Sequence, residues 1–152
     1  MTAYSEIIPG LFVGSIASVK HGLPPGVKRV VNCAQEIGNI ANVPAGSYLH
    51  LDLLDDDTDT DNLKFCRYIS VVIKFIDSIP LQQSPVLLHC YEGISRSASM
   101  CLAYLMWHHH PQCNTIYNGV NFIVSKRQIA FYQCGADNTP MTYWRALYDT
   151  FG

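Results

Sequence analysis

Short β-branched runs alternate along this chain with longer segments whose apolar residues recur at helical spacing. Residues 6–14 (Glu6, Ile7, Ile8, Pro9, Gly10, Leu11, Phe12, Val13, Gly14) read as a hairpin, two apolar pieces joined by Pro-Gly and closed by a second Gly. Residues 26–33 carry the β-branched run of a buried strand. Residues 47–53 alternate polar with apolar, which predicts a strand with one exposed face. After an acidic stretch comes a helix predicted over residues 62–78, with Phe65, Ile69, Val72, Ile73 and Ile76 on one face and Pro80 ending it. Residues 86–88 are the expected central strand. The helix predicted over residues 96–107 is apolar almost all round and should be wrapped by other elements. Two more helices are predicted. One spans residues 115–126, with Ile116, Val120, Ile123 and Val124 inward; the other spans residues 141–151, with Thr139 as cap and Pro140 in the first turn.

The 152 residues suit one domain, residues 1–152, with a single core, and 49% apolar against 14% charged residues predicts a compact fold. A formal charge of −2, with no basic run longer than two, gives no electrostatic reason to expect nucleic acid. The first residues lack the basic-then-apolar pattern of a secretory signal. The longest strongly apolar run, residues 98–107, is too short to cross a bilayer, so no membrane association is expected. These features lead to the expectation of a soluble, intracellular protein, cytoplasmic and with the nucleus also open to it. Six cysteines (Cys33, Cys66, Cys90, Cys101, Cys113, Cys134) form no CxxC pair, so no zinc site is expected, and five are expected to be reduced and mostly buried. His108, His109 and His110 invite a metal reading, but consecutive helical residues point about 100° apart and cannot converge on one ion.

The chemistry concentrates where the strand at residues 86–88 runs through His89 and Cys90 into the helix at Arg96. A loop feeding a helix start aims backbone N–H groups inward and adds the positive end of the helix dipole, so residues Tyr91, Glu92, Gly93, Ile94, Ser95 and Arg96 are candidate phosphate-binding positions. The same field favours a thiolate, which makes Cys90 a candidate nucleophile. Arg96, on the first helical turn, could grip two phosphate oxygens in a fork, which a lysine cannot do. Ser97 could offer its hydroxyl to the sulfur. A buried structural cysteine beside a surface arginine is the bland alternative, disfavoured because His, Cys, Gly, Arg and Ser fall together at one strand-to-helix junction.

His89-Cys90-x-x-Gly93-x-x-Arg96-Ser97 resembles the signature of the protein tyrosine phosphatase superfamily, and its surroundings are similar to the small dual-specificity phosphatases over nearly the whole chain. The resemblance implies an α/β fold with a central mixed, mostly parallel sheet flanked by helices on both faces. It also implies a small helix after the hairpin, near residues 15–21. It implies that Cys90 attacks phosphorus to form a phosphocysteine, that Arg96 holds the phosphoryl oxygens, and that an upstream Asp is general acid and then base. Aligned without gaps back from Cys90, that acid falls on Asp59; counted forward from the strand at 47–53 it falls on Asp55, and Asp57 lies between. Asp59 is preferred because helix register is harder to shift than loop length. His89 is expected to support the loop through hydrogen bonds. Where the family usually has Pro-Asn before its last helix, this chain has Tyr132-Gln133. Related enzymes sometimes protect the nucleophile in a reversible disulfide; which neighbour would pair with Cys90 is not readable here. The implied enzyme needs no metal or other cofactor, acts as a monomer, and takes phosphoprotein substrates, phosphotyrosine and phosphoserine or phosphothreonine alike, since 152 residues leave no room for the long loop that deepens the pocket of classical tyrosine phosphatases. Two alternatives stand beside it: a phosphatase of phosphoinositide, glucan or RNA, disfavoured by the lack of basic residues inside the loop, and a non-catalytic phosphate-binding module.

Overall fold

Two four-residue strands with branched apolar side chains at their centres build the middle of the sheet. Arg29–Asn32 (β3) and Val86–His89 (β5) are buried at every position, the pattern of strands covered on both faces. They pair in parallel from Arg29 opposite Val86 to Asn32 opposite His89. The computed structural model describes residues 2–132 and 142–152. Tyr4–Ile8 (β1) and Leu11–Gly14 (β2) form the expected hairpin, and Tyr48–His50 (β4) the half-exposed strand. The sheet order is β1-β2-β5-β3-β4, antiparallel only between β1 and β2. This is the mixed, mostly parallel sheet that the resemblance implied.

The helices are Ala17–Lys20 (α1), Asp59–Asp77 (α2), Arg96–Trp107 (α3), Ile116–Lys126 (α4) and Trp144–Phe151 (α5). Side chains from α2, α3, α4 and α5 share one core with Val86 and Leu88. Leu87, pointing the other way, meets Val19 of α1 and Val27. The two faces are therefore covered unequally, four helices against one short helix and loops. Every residue of α3 except Trp107 is buried, as its all-round apolar pattern requires.

Helix α2 starts three residues before the predicted position. The Thr58 hydroxyl accepts the Asp61 N–H at 3.1 Å and caps the helix there, and this polar first turn carries no apolar periodicity to announce it. The last helix, predicted from residue 141, is observed from Trp144; Gln133, Cys134, Thr139, Pro140 and Met141 lie outside the described residues. Tyr143, just before α5, has a left-handed backbone (φ +65°) and a fully buried ring stacked on Phe65 at 4.6 Å. Each histidine of the 108–110 run takes its own direction. His108 Nε2 meets Asp77 at 2.8 Å, His109 sits at φ +52°, and the His110 ring lies 4.9 Å from Phe122.

Arg29 binds α2 to the sheet. From the buried start of β3 its guanidinium donates to the carbonyls of Phe75 and Ile76 in the last turn of α2 and of Ile79 just beyond it, and to the Ser84 hydroxyl and carbonyl. Replacing Arg29 with Met should cost about 3 kcal/mol or more, because buried acceptors lose a charged donor. The expected result is a lower urea midpoint at unchanged slope.

Candidate active site

Strand β5 ends at His89 and α3 begins at Arg96, so residues 90–95 form a loop beyond the carboxyl ends of the parallel strands, where α/β folds bind ligands. Gly93 has φ +71°, and a Cβ there would stand 2.7 Å from Arg127 and 2.8 Å from the Gly14 carbonyl. Only glycine fits that turn. Its N–H donates toward Cys90 Sγ at 3.3 Å, and Ser97 Oγ lies 3.2 Å from the same sulfur. Cys90 is only 3% exposed, yet it lines a cavity of about 390 Å³ with Asp55, Tyr91, Glu92, Ile94, Ser95, Arg96, Phe131, Tyr132 and Thr142. Ser95, at the cap position of α3, makes no capping hydrogen bond; its hydroxyl donates to Asp55 Oδ1 at 2.7 Å instead.

Arg96 is gripped from behind. Glu36 takes Nη1 and Nη2 on its two carboxylate oxygens at 2.7 Å each, and the Leu53 carbonyl accepts from Nη1 at 3.0 Å. Burial works against the Arg96 charge, but Glu36 and the sulfur of Cys90 outweigh it and hold the guanidinium above its ordinary pKa. The Arg96 hydrogen bond in turn lowers the pKa of Glu36. A guanidinium has five N–H groups; those of Nε and the second of Nη2 remain on the opposite edge, enough for a two-point grip on phosphate.

Arg127, only 3% exposed, underpins the loop. Its Nε donates to the Gly93 carbonyl at 2.9 Å, Nη2 to the Glu92 carbonyl at 3.1 Å, and Nη1 to the Thr2 carbonyl and the Ser5 hydroxyl at 3.2 Å each. Sequence reasoning missed both supports. Nothing in the pattern sets a lone arginine at a helix end apart from surface charge, and Glu36 sits in a polar turn 60 residues from its partner.

The expectation that Asp59 overhangs the pocket is not met. Asp59 is the first residue of α2, its side chain 93% exposed and paired with Arg145. Asp57 also faces Arg145, at 3.4 Å. The carboxylate at the cavity is Asp55. The physical reason lies in Asp61, buried to 1%, whose carboxylate accepts the N–H groups of Leu54 (3.0 Å) and Asp55 (2.9 Å). It thereby folds the strand exit back toward the phosphate loop. Tyr143 Oη donates to Asp61 at 2.7 Å and accepts the Asp55 N–H at 3.0 Å. Asp55 and Asp57 both adopt left-handed backbone, φ +63° and +56°. Residues 56–58 thus lie between Asp55 and the helix. The Thr58-x-x-Asp61 spacing was the available signal, since it starts the helix at Asp59. The Asp55 residue is exposed overall, but partial burial of its carboxyl in the cavity raises its pKa, against the lowering effect of hydrogen bonds from Ser95 and Thr142.

This geometry sits within a recognisable sequence. Residues 16–136 match the family model described as the dual specificity phosphatase catalytic domain. The chain belongs to the dual-specificity phosphatase family. Human dual specificity protein phosphatase 14 is 30% identical over 148 residues, covering 95% of this chain and 67% of that protein. Human dual specificity protein phosphatase 18 is 43% identical over 112 residues, 72% of this chain and 57% of that protein. As a family member the chain is a cysteine-based protein phosphatase, and its substrates are phosphoproteins. Two solved structures share the fold of this phosphatase. Human DUSP28 has a TM-score of 0.76 at 20% identity, covering 99% of this chain and 94% of that one. The human tyrosine phosphatase-like serine/threonine/tyrosine-interacting protein has a TM-score of 0.70 at 24% identity, covering 97% and 94%.

Five cysteines of the phosphatase are free thiols among the described residues, and Cys134 lies outside them. Because Asn32 pairs with His89 and the Cys33 N–H donates to the His89 carbonyl at 2.7 Å, Cys33 stands beside Cys90 where the two strands end. Burial pushes the Cys33 thiol well up in pKa. Among the described residues no cluster of His, Cys, Asp or Glu could hold a metal ion. His89 is buried to 1%, with Nδ1 3.3 Å from the Cys90 carbonyl. Burial lowers its pKa to about 4, so it stands neutral behind the loop. The unfolded chain protonates this histidine near pH 6.5 while the folded one resists until about 4. Stability should therefore fall as pH drops through that window, by roughly 3 kcal/mol from this group. Denaturant midpoints measured from pH 7 to 4 should fall less steeply in His89→Gln than in the unsubstituted protein.

Proposed function

We propose that Cys90, Arg96 and Asp55 hydrolyse phosphomonoesters on proteins in two displacements. Cys90 Sγ attacks phosphorus in line; the S–P bond forms as the bond to the tyrosine, serine or threonine oxygen breaks, and protonated Asp55 delivers its proton to that departing oxygen. Asp55, now a carboxylate, removes a proton from water, whose oxygen displaces sulfur and releases inorganic phosphate. The loop amides and the outer edge of Arg96 bind the equatorial oxygens, where charge builds up. Ser97 stabilises the sulfur as it leaves.

The observation that carries this reading is the convergence of sulfur, guanidinium and carboxyl on one cavity. Asp55 fits the acid better than Asp59 because it lines that cavity, whereas Asp59 is turned to Arg145. A raised pKa keeps Asp55 protonated to higher pH than an ordinary aspartic acid, which suits an acid acting near neutrality. The non-catalytic alternative is disfavoured by the intact set of three groups.

Cys90→Ser should abolish turnover of para-nitrophenyl phosphate while retaining phosphate binding; unchanged turnover would reject the scheme. Asp55→Asn should lose about 10²–10⁴-fold, most with poor leaving groups. Its sign in pH is fixed: activity falls as pH rises through the Asp55 pKa, and that alkaline limb should vanish in Asp55→Asn but persist in Asp59→Asn.

A further inference from the structure

The phosphate pocket contains little spare positive charge. Among the described residues Arg96 is the only cation lining the cavity, and both of its terminal nitrogens already rest on Glu36. Arg127 lies beneath the loop, its guanidinium covered by the Gly93, Glu92 and Thr2 carbonyls and the Ser5 hydroxyl. Arg145, beside the acidic loop, is taken by Asp57 and Asp59. Lys126 leans over the Phe122 ring, which lines a separate groove. Against these stand Asp55 and Glu92 in the cavity wall and exposed Asp56 next in the chain. Residues 133–141, outside the described part, contain Asp137 and no Lys, Arg or His. What the rim does present is neutral and aromatic: Tyr91 is 52% exposed and Tyr132 75%.

We infer that, given the catalytic reading above, this phosphatase selects singly phosphorylated segments with basic or neutral flanks and rejects those carrying a second phosphate or acidic residues beside the first. One phosphoryl group uses the loop amides and the free edge of Arg96. A second, carrying about −1.5 to −2 charges, would meet Glu92 and Asp56, and among the described residues lining the cavity no cation besides Arg96 is there to receive it. A lysine or arginine flank meets those carboxylates instead and gains the faces of Tyr91 and Tyr132. Several unit charges at rim distances in water discriminate by roughly tenfold in all.

The test uses four phosphotyrosine peptides that differ only around the phosphotyrosine: neutral, lysine-flanked, glutamate-flanked, and neutral with a phosphothreonine two positions away. The expected order of kcat/KM at low salt is lysine-flanked, then neutral, then glutamate-flanked and doubly phosphorylated, with roughly tenfold between the extremes. The spread should compress at high salt, as screening requires, and Glu92→Gln should narrow the gap between lysine- and glutamate-flanked peptides. Equal rates alongside normal turnover of para-nitrophenyl phosphate would overturn the selection and leave the chemistry standing. A doubly phosphorylated peptide turned over fastest, or a spread insensitive to salt, would overturn it as well. Absence of any turnover would remove the catalytic reading and this inference together.

Discussion

The ion pair between Arg96 and Glu36 is the constraint on which the site rests. A guanidinium on a first helical turn has four rotatable bonds and no intrinsic reason to face inward; two carboxylate oxygens and the Leu53 carbonyl hold it in one orientation and leave its other edge toward the cavity. The pair is mostly shielded on the arginine side and half open on the glutamate side, so the charge is stabilised without full desolvation of both partners. It also spans the molecule: Glu36 follows β3, Leu53 follows β4, and Arg96 starts α3. The loop is thereby pinned to the sheet at a second point besides its own strand.

The opposite wall is built by a different device. Asp61, inside the first turn of α2, gathers the N–H groups of the preceding loop, and Tyr143 reaches across from the start of α5 to complete the set. Left-handed backbone at Asp55, Asp57 and Tyr143 is conformationally costly for residues with a side chain, and its occurrence at three positions around one carboxylate shows how firmly these contacts dictate the local path. Arg145 adds an outer tether at Asp57 and Asp59. The carboxyl of Asp55 reaches the cavity because of groups from α2 and α5, not through any preference of its own sequence neighbourhood.

Much of the architecture was legible because burial leaves a periodic trace. The buried apolar runs of β3 and β5 and the almost entirely apolar α3 announced a covered sheet centre. The Cys90–Ser97 segment was legible for another reason: a tight anion-binding loop permits few residue types at each position, Gly93 above all. The placement of Asp59 over the pocket was misread because a polar loop carries no periodicity, so an ungapped count carried helix register past the point where the helix begins, and Asp55 lines the cavity instead. Glu36 and Arg127 were invisible because long-range partners are a property of the folded sheet, and neither residue differs in sequence from ordinary surface charge.

Arg127 touches Thr2 and Ser5 with one nitrogen and the loop after β5 with the others, and so joins an edge strand to the floor of the cavity. Edge strands fray more readily than central ones, and here such fraying would be felt by the anion seat rather than stay local. Thr2 and Ser5 thus act as a foundation stone for the surroundings of Cys90, though neither of them lines the cavity. Whatever grips or displaces that margin of the sheet has a mechanical route to the sulfur.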